Sequence, residues 1–193
     1  KHRFHFHLDR CYCYDEFRLK DNPAETRKAE YVEAGLLVQH ILSCCPLLAK
    51  QFVKALENHP STPANQWHCI LGFDEFNCGD KLSSHQMGKK LMCVYFTFAE
   101  LETTASAYAW FILAALRTKL IDSFQGGWSK MFTQMLIRTF YGTHGLSTVW
   151  VPFSHRGEAV SFMRNLRIFS VMARVCKKSW DGEVQDACAL PFC

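Results

Sequence analysis

The sequence lacks a long hydrophobic run. Its longest apolar stretch, ASAYAWFILAAL at 105–116, is far shorter than the roughly 20 residues that a membrane-spanning helix needs. The N-terminal KHRFHFHLDR is too polar for the apolar region of a signal peptide. We therefore expect a protein that does not associate with a membrane.

The sequence also lacks the regular cysteine spacing of a small disulfide-bonded scaffold, although it has ten cysteines in 193 residues. Several of them lie in apolar segments, where a free thiol behaves as a small hydrophobic side chain. We therefore expect an intracellular protein with reduced thiols. The cysteines in apolar segments are Cys44, Cys45, Cys69, Cys93 and Cys176.

Neither a nucleophile elbow nor a phosphate-binding loop is present. GTHG at 142–145 lacks both the strand-turn-helix context and the lysine of a P-loop. There is no internal repeat. The length fits one domain, and a hydrophobic fraction of 49% supports a packed core. A net charge of +4 is compatible with an anionic partner but does not require one.

The hydrophobic periodicity predicts an α/β domain with a mixed sheet, preceded by a strand and two helices. Residues 1–20 resemble a short exposed strand, and STPANQ at 61–66 is the strongest linker signal. LRIFSVMARV at 166–175 fits either a buried strand or the continuation of a preceding helix. The predicted helices are 21–42, 44–60, 104–121, 128–141 and 155–165. The other predicted strands are 68–76, 90–98 and 146–153.

Asp74 and Glu75 stand near the end of the predicted strand 68–76, just before a polar loop. An acid at a strand end can present hard oxygen ligands to Mg²⁺, and two such ions can activate a phosphodiester for cleavage. The alternative is structural: Asp74 would cap the loop or pair with Lys89 or Lys90. The residues alone favour the structural role.

The N-terminal residues His5, His7, Cys11 and Cys13 have the right types and number for a zinc site. Their H-x-H and C-x-C spacing differs from the common C-x₂-C frameworks, and an exposed alternating strand explains it equally well. We therefore expect no zinc at these residues, and Mg²⁺ rather than zinc as the cofactor if a metal is bound.

Residues 71–98 resemble the first catalytic segment of DDE-type, RNase H-like eukaryotic DNA-transposon proteins. In those segments an apolar strand leads to an acidic pair, an aromatic residue, a polar loop, Lys-Lys-Leu and an aromatic-rich strand. The wider stretch 68–153 is similar to an uncharacterised multi-copy protein family of unicellular eukaryotes. The matching stretches are GFDEFNCGDKL at 72–82, GGWS at 126–129 and GLSTV at 145–149. Cys78 stands where that family usually has proline.

This resemblance implies an RNase H-like domain over 61–193, after an N-terminal strand and helical segment over 1–60. Asp74 matches the first acid, on the first strand of such a domain. Asp181 is the match for the second acid, which lies on or after the fourth strand. The third acid would lie beyond Cys193, so we expect an incomplete domain with a degenerate metal site.

Two functions remain open. The first is a transposase-derived nuclear protein that binds DNA, whose ancestral chemistry is metal-dependent phosphodiester cleavage and strand transfer through Asp74 and Asp181. The second is a non-catalytic α/β interaction module, in which the amphipathic helices 104–121 and 128–141 hold a partner and Asp74 is a structural turn residue.

Overall fold

The structure is a computed structural model that describes residues 12–62, 64–77, 90–102, 110–142, 145–146, 151–155, 158–162, 166–174 and 189–190. These residues form a mixed α/β architecture. The strands are β1 (Tyr12–Arg18), β2 (Thr26–Val32), β3 (Trp67–Asn77), β4 (Lys90–Phe98), β5 (Phe111–Arg117), β6 (Val151–His155), β7 (Glu158–Phe162), β8 (Leu166–Arg174) and β9 (Ala189–Leu190). The helices are α1 (Ala34–Cys44), α2 (Pro46–Asn58), α3 (Thr118–Ser123) and α4 (Gly127–Leu136), with a 3₁₀ turn at Ala99–Leu101 and a π turn at Ile137–Tyr141.

Five strands form the central sheet, in the spatial order β5-β4-β3-β8-β9. β3, β4 and β5 form an antiparallel meander. β8 runs parallel to β3 on its other side, and β9 pairs antiparallel with β8. The sheet is therefore mixed, as expected, and β3 is hydrogen-bonded along both of its edges.

Two antiparallel hairpins lie outside this sheet, β1–β2 and β6–β7. The first is attached to the segment between α3 and α4. Phe17 of β1 stacks on Phe124, with ring centroids 4.8 Å apart, and Leu19 forms an isolated β-bridge with Phe124. Aromatic stacking and backbone pairing thus join the N-terminal hairpin to the rest of the protein.

The core is an aromatic cluster between helix α2 and one face of the sheet. Phe52 of α2 is fully buried, and its ring lies 5.7 Å from that of Phe98 on β4 and 5.9 Å from that of Trp67 on β3. Large buried rings contribute most of the apolar area that stabilises a domain of this size. Phe52 also contacts Phe111 of β5 and Phe153 of β6.

Several elements agree with the periodicity of the sequence. The strand expected at 90–98 has those bounds, and the strand expected at 68–76 extends by one residue at each end. The helix expected at 44–60 is α2, which begins at a proline as the first turn allows. The helix expected at 128–141 corresponds to α4 and the π turn. Of the two structures that 166–175 allowed, the strand is the one observed.

The helix predicted at 21–42 is wrong in its first half, because Thr26–Val32 is strand β2. Ala29 and Tyr31 are buried while Lys28 and Glu30 are exposed, which is the two-residue period of a half-buried strand. Pro23 and the nearby charges suggested a helix start, but pairing with β1 determines the backbone here. Of the predicted range only 34–42 is helical, and helix α1 continues to Cys44.

The helix predicted at 104–121 is wrong over 111–117, which form strand β5. Its last residues, 118–121, are helical as predicted and belong to the short helix α3. Ile112 is 57% exposed and its neighbours Phe111 and Leu113 are buried, as the two-residue period of a strand requires. Short apolar runs fit either period, and pairing with β4 decided the outcome. The interaction-module alternative therefore loses one of its two helical faces.

The helix predicted at 155–165 is wrong as well, because Glu158–Phe162 is strand β7, paired with β6. The strand predicted at 146–153 corresponds to β6 only from Val151 onward. Its residues 147–150 lie outside the described residues.

Buried residues from both sides of position 60 belong to one hydrophobic cluster, which extends from Phe17 to Phe153. The division of the chain into 1–60 and 61–193 remains a prediction. No single helix within the described ranges is long and apolar enough to cross a membrane. Among the described helices, only α1 and α2 taken together are long and apolar enough, and the chain bends by 113° between them.

Replacing Phe52 by alanine tests the central position of its ring. We expect Phe52→Ala to lower the free energy of unfolding by about 3–5 kcal/mol, because it leaves a cavity among several aromatic rings. Urea denaturation measures the change. Tyr141→Ala is the control, because Tyr141 is 54% exposed and its loss should change stability by less than about 0.5 kcal/mol. Equal effects of the two substitutions would contradict the described core.

Candidate active site on the central strand

The two faces of β3 have different environments. Trp67, Cys69 and Leu71 are fully buried on the helix-covered face. Phe73 follows on this face and contacts the rings of Trp128 and Phe132 on α4. Because side chains alternate along a strand, the residues between them, including Asp74, lie on the opposite face.

Asp74 lies at the carboxyl end of the only parallel strand pair among the described residues. It pairs with Arg174, the last residue of β8, in the last register position of that pair. On the other side it pairs with Cys93 of β4, and Cβ atoms in such directly opposed antiparallel pairs are about 4.5–5.5 Å apart. The carboxyl ends of parallel strands are the usual position of ligand sites in open α/β sheets.

The Asp74 carboxylate has one oxygen, Oδ1, that is buried without a hydrogen-bond partner. Four other buried side-chain oxygens share this property, but three of them are hydroxyl groups, and the fourth belongs to Glu100, whose other oxygen accepts hydrogen bonds. A buried carboxylate oxygen without a donor is costly unless a cation or water compensates it. Asp74 is thus the described acid best placed to bind a cation. The other four residues are Ser61, Thr97, Thr139 and Glu100.

Gly72 permits an aromatic ring to lie across β3 beside Asp74. A Cβ atom on Gly72 would be 2.1 Å from Cε2 of Tyr95, the residue opposite it on β4. The Tyr95 ring packs edge-on against Trp110, with centroids 5.1 Å apart. The glycine of the GFDEF segment is therefore required by the close approach of this ring.

Glu75, on the helix-covered face, has a structural role. Lys90 Nζ donates a hydrogen bond to Glu75 Oε2 at 2.8 Å, and Thr118 Oγ1 donates to Oε1 at 2.9 Å. The hydrogen bond from Lys90 is the main cause that lowers the pKa of Glu75, with Thr118 adding to it and partial burial opposing it. The ion pair with a lysine that was considered for Asp74 is thus formed by Glu75, with Lys90.

Asp181, the predicted second acid, lies outside the described residues, so its distance from Asp74 remains a prediction. Across the described part of the chain, no three His, Cys, Asp or Glu side chains converge on a possible metal position. Asp74 and Asp181 therefore remain the candidate site residues, with Asp74 the one whose environment is known.

Cys13 is the one described member of the N-terminal His/Cys set. Its thiol donates a hydrogen bond to the Tyr31 carbonyl at 3.5 Å. Burial is the main cause that raises the pKa of Cys13 to about 11. His5, His7 and Cys11 lie outside the described residues.

Sequence reasoning missed a polar network that ties β1 and β2 to the π turn. Tyr31 donates a 2.6 Å hydrogen bond to Asp15 Oδ2, and Arg138 donates to Asp15 Oδ1 and to the Tyr14 carbonyl. Burial first, and then the bond to Asp15, raise the pKa of Tyr31. Arg138 is more than 100 residues from Asp15 and Tyr14 in sequence, so no local pattern could have indicated its contacts. The network holds the hairpin in place.

Sequence reasoning also missed an acid–imidazole pair near the start of β3, at the opposite end from Asp74. Glu100 Oε1 lies 2.8 Å from His68 Nδ1 and accepts the His68 backbone N–H at 2.9 Å. His68 precedes Asp74 by six residues, which is roughly 20 Å along a strand. The two acids therefore belong to separate sites.

Comparison of the chain with protein-family models and with curated protein sequences finds no match.

Neutralising Glu75 tests its ion pair. Because its folded pKa is below the ordinary value, the pair stabilises the protein above that ordinary pKa and its contribution disappears as the pH falls through the folded pKa. Since both partners are about a third exposed or more, we expect Glu75→Gln to lower stability by about 0.5 kcal/mol at neutral pH.

The difference between the wild type and Glu75→Gln should shrink as the pH falls through the lowered pKa of Glu75, as measured by urea denaturation at several pH values. Glu57→Gln, an exposed acid on α2, should show neither effect. A difference that persists at acidic pH would contradict the ion-pair assignment.

Adding a methyl group at Gly72 tests the approach of Tyr95. We expect Gly72→Ala to destabilise the protein by about 1–3 kcal/mol, because the ring must move. The same substitution in a Tyr95→Leu background should have a smaller effect, and a double-mutant cycle from thermal unfolding measures the coupling. Additive effects would show that the ring does not limit this position.

Proposed function

We propose that the chain is a transposase-derived, RNase H-like domain that binds DNA in the presence of Mg²⁺ through Asp74 and Asp181, and that it no longer cleaves DNA. The observation that supports this most strongly is the buried Asp74 Oδ1 without a hydrogen-bond donor, at the carboxyl end of the β3–β8 pair. The protein would act in the nucleus.

The strand order supports the RNase H-like part of the proposal. In the resemblance described above, the first acid lies on the first strand and the second on or after the fourth. If β3 is the first strand of the central sheet, then β8 is the fourth, and it lies directly beside β3. Asp74 then occupies the position of the first acid.

The ends of the segment that contains Asp181 support its role as the partner acid. Arg174 pairs with Asp74, and Ala189 pairs with Met172, two positions back along β8. The described residues that flank 175–188 therefore lie near the carboxyl end of β8, and Asp181 follows Arg174 by seven residues in sequence.

The donor type at Asp74 fits Mg²⁺, which prefers hard carboxylate oxygens. When bound, the ion would supply Lewis-acid stabilisation of phosphate oxygens. The Asp74 carboxylate would hold the cation, and the rigid central strand would fix the direction of that carboxylate.

Arg174 supports the loss of cleavage. It stands in register with Asp74 at the last position of β8, so β8 itself ends in a cation rather than a second acid. Cleavage by two metal ions needs carboxylates that hold both of them, and β8 supplies none at this register position. We therefore expect DNA binding without cleavage.

A Mg²⁺ titration of thermal stability tests the proposal. At a Mg²⁺ concentration ten times Kd, binding should stabilise the protein by about 1.4 kcal/mol, or roughly 3–6 °C in Tm for a chain of this size. Asp74→Asn and Asp181→Asn should abolish the shift. They should also remove the Mg²⁺ dependence of DNA binding, measured by fluorescence anisotropy.

Asp122→Asn is the matched control, because Asp122 is an exposed acid on α3 and should keep the full response to Mg²⁺. The wild type should yield no cleavage product from single- or double-stranded DNA with Mg²⁺. An equal Mg²⁺ response in Asp74→Asn and the wild type would refute the metal site, and DNA cleavage by the wild type would refute its degeneracy.

A further inference from the structure

The outer side of helix α1 carries an imidazole and a thiol one turn apart. His40 and Cys44 are separated by four positions, which places them next to each other on a helix. Cys44 is exposed and His40 is partly exposed. Cys44 Sγ lies 3.8 Å from His40 Nε2, within hydrogen-bonding distance for sulfur.

This separation matches one edge of a tetrahedral zinc site. With Zn–S of about 2.3 Å and Zn–N of about 2.0–2.1 Å, a tetrahedral angle puts sulfur and nitrogen about 3.6 Å apart. The observed distance is longer by only about 0.2 Å, so a zinc ion could bind both atoms with almost no movement of the helix. Nitrogen and thiolate sulfur are the donors that zinc prefers.

We propose that His40 and Cys44 form half of a zinc site that is completed by the same two residues of a second copy of this chain. A structural zinc ion takes four protein ligands, and a twofold axis through the metal would supply two from each copy. No third His, Cys, Asp or Glu joins them to make a possible metal group within the described residues.

The surroundings of the pair suit a second copy. Helix α1, AGLLVQHILSC, contains no Asp, Glu, Lys or Arg, so two copies of its outer side can approach without burying charge. Leu36 lies one turn before His40 and is 37% exposed. Leu47 follows Cys44 by three residues and is 70% exposed. Contact between the copies would remove both leucines from water.

This zinc site differs from both metal sites considered above. It uses neither Asp74 nor the N-terminal His/Cys set, whose described member Cys13 has its thiol hydrogen-bonded within the hairpin. Binding requires the thiolate, so each Cys44 thiol releases its proton to solvent when the metal binds. Zinc would therefore join two copies through α1.

Sedimentation velocity of the full chain tests the proposal, with a phosphine reductant and added Zn²⁺ as the only metal. We expect a zinc-dependent dimer with one zinc per two chains, reversed by a chelator. Co²⁺ in place of Zn²⁺ should give the intense visible bands of a tetrahedral site and a thiolate-to-cobalt charge-transfer band. Cys44→Ser and His40→Ala should each leave a monomer with Zn²⁺ and lose the Co²⁺ bands.

Two controls separate this site from the other histidines and cysteines. His59→Ala removes an exposed histidine that follows α2, and Cys11→Ser disrupts the N-terminal set; both should still dimerise with Zn²⁺. Circular dichroism without metal verifies that each variant is folded. The proposal is wrong if the dimer persists in Cys44→Ser, or if the wild type remains a monomer at saturating Zn²⁺.

Discussion

The structure depends on the register of strand β3, because its two faces have incompatible surroundings. One face packs into the aromatic cluster around Phe52, and the other carries Gly72 and Asp74. A slip of one residue would put the Asp74 carboxylate among aromatic rings and expose Leu71. Hydrogen bonding to both β4 and β8 holds this register, so the core that stabilises the protein also positions the candidate site.

The register also explains why two adjacent acids have different roles. Glu75 is on the helix-covered face, where Lys90 and Thr118 satisfy both of its oxygens. Asp74 is on the other face, between Cys93 and Arg174, with one oxygen that has no donor. The pair that looks like one acidic motif in the sequence is therefore a structural ion pair next to a candidate ligand.

The cysteines show the same dependence on environment. Cys69 is fully buried, and burial raises its pKa, in agreement with the prediction that it acts as a small hydrophobic residue. Cys13 has its thiol hydrogen-bonded to a backbone carbonyl. Cys44, which was expected to be another hydrophobic residue, is exposed and lies beside His40. An apolar flanking sequence does not tell which side of a helix a thiol occupies.

Strong local periodicity was enough to predict β3, β4, α2 and α4 from the sequence, and the position at a strand end singled out Asp74. The strands at 26–32, 111–117 and 158–162 depend on long-range pairing, because a short segment that suits either period takes the structure of its pairing partner. The neighbours of Asp74 and Glu75 were likewise decided by the fold. Thr118 is 43 residues from Glu75, and such contacts follow from strand order, which local sequence patterns do not encode.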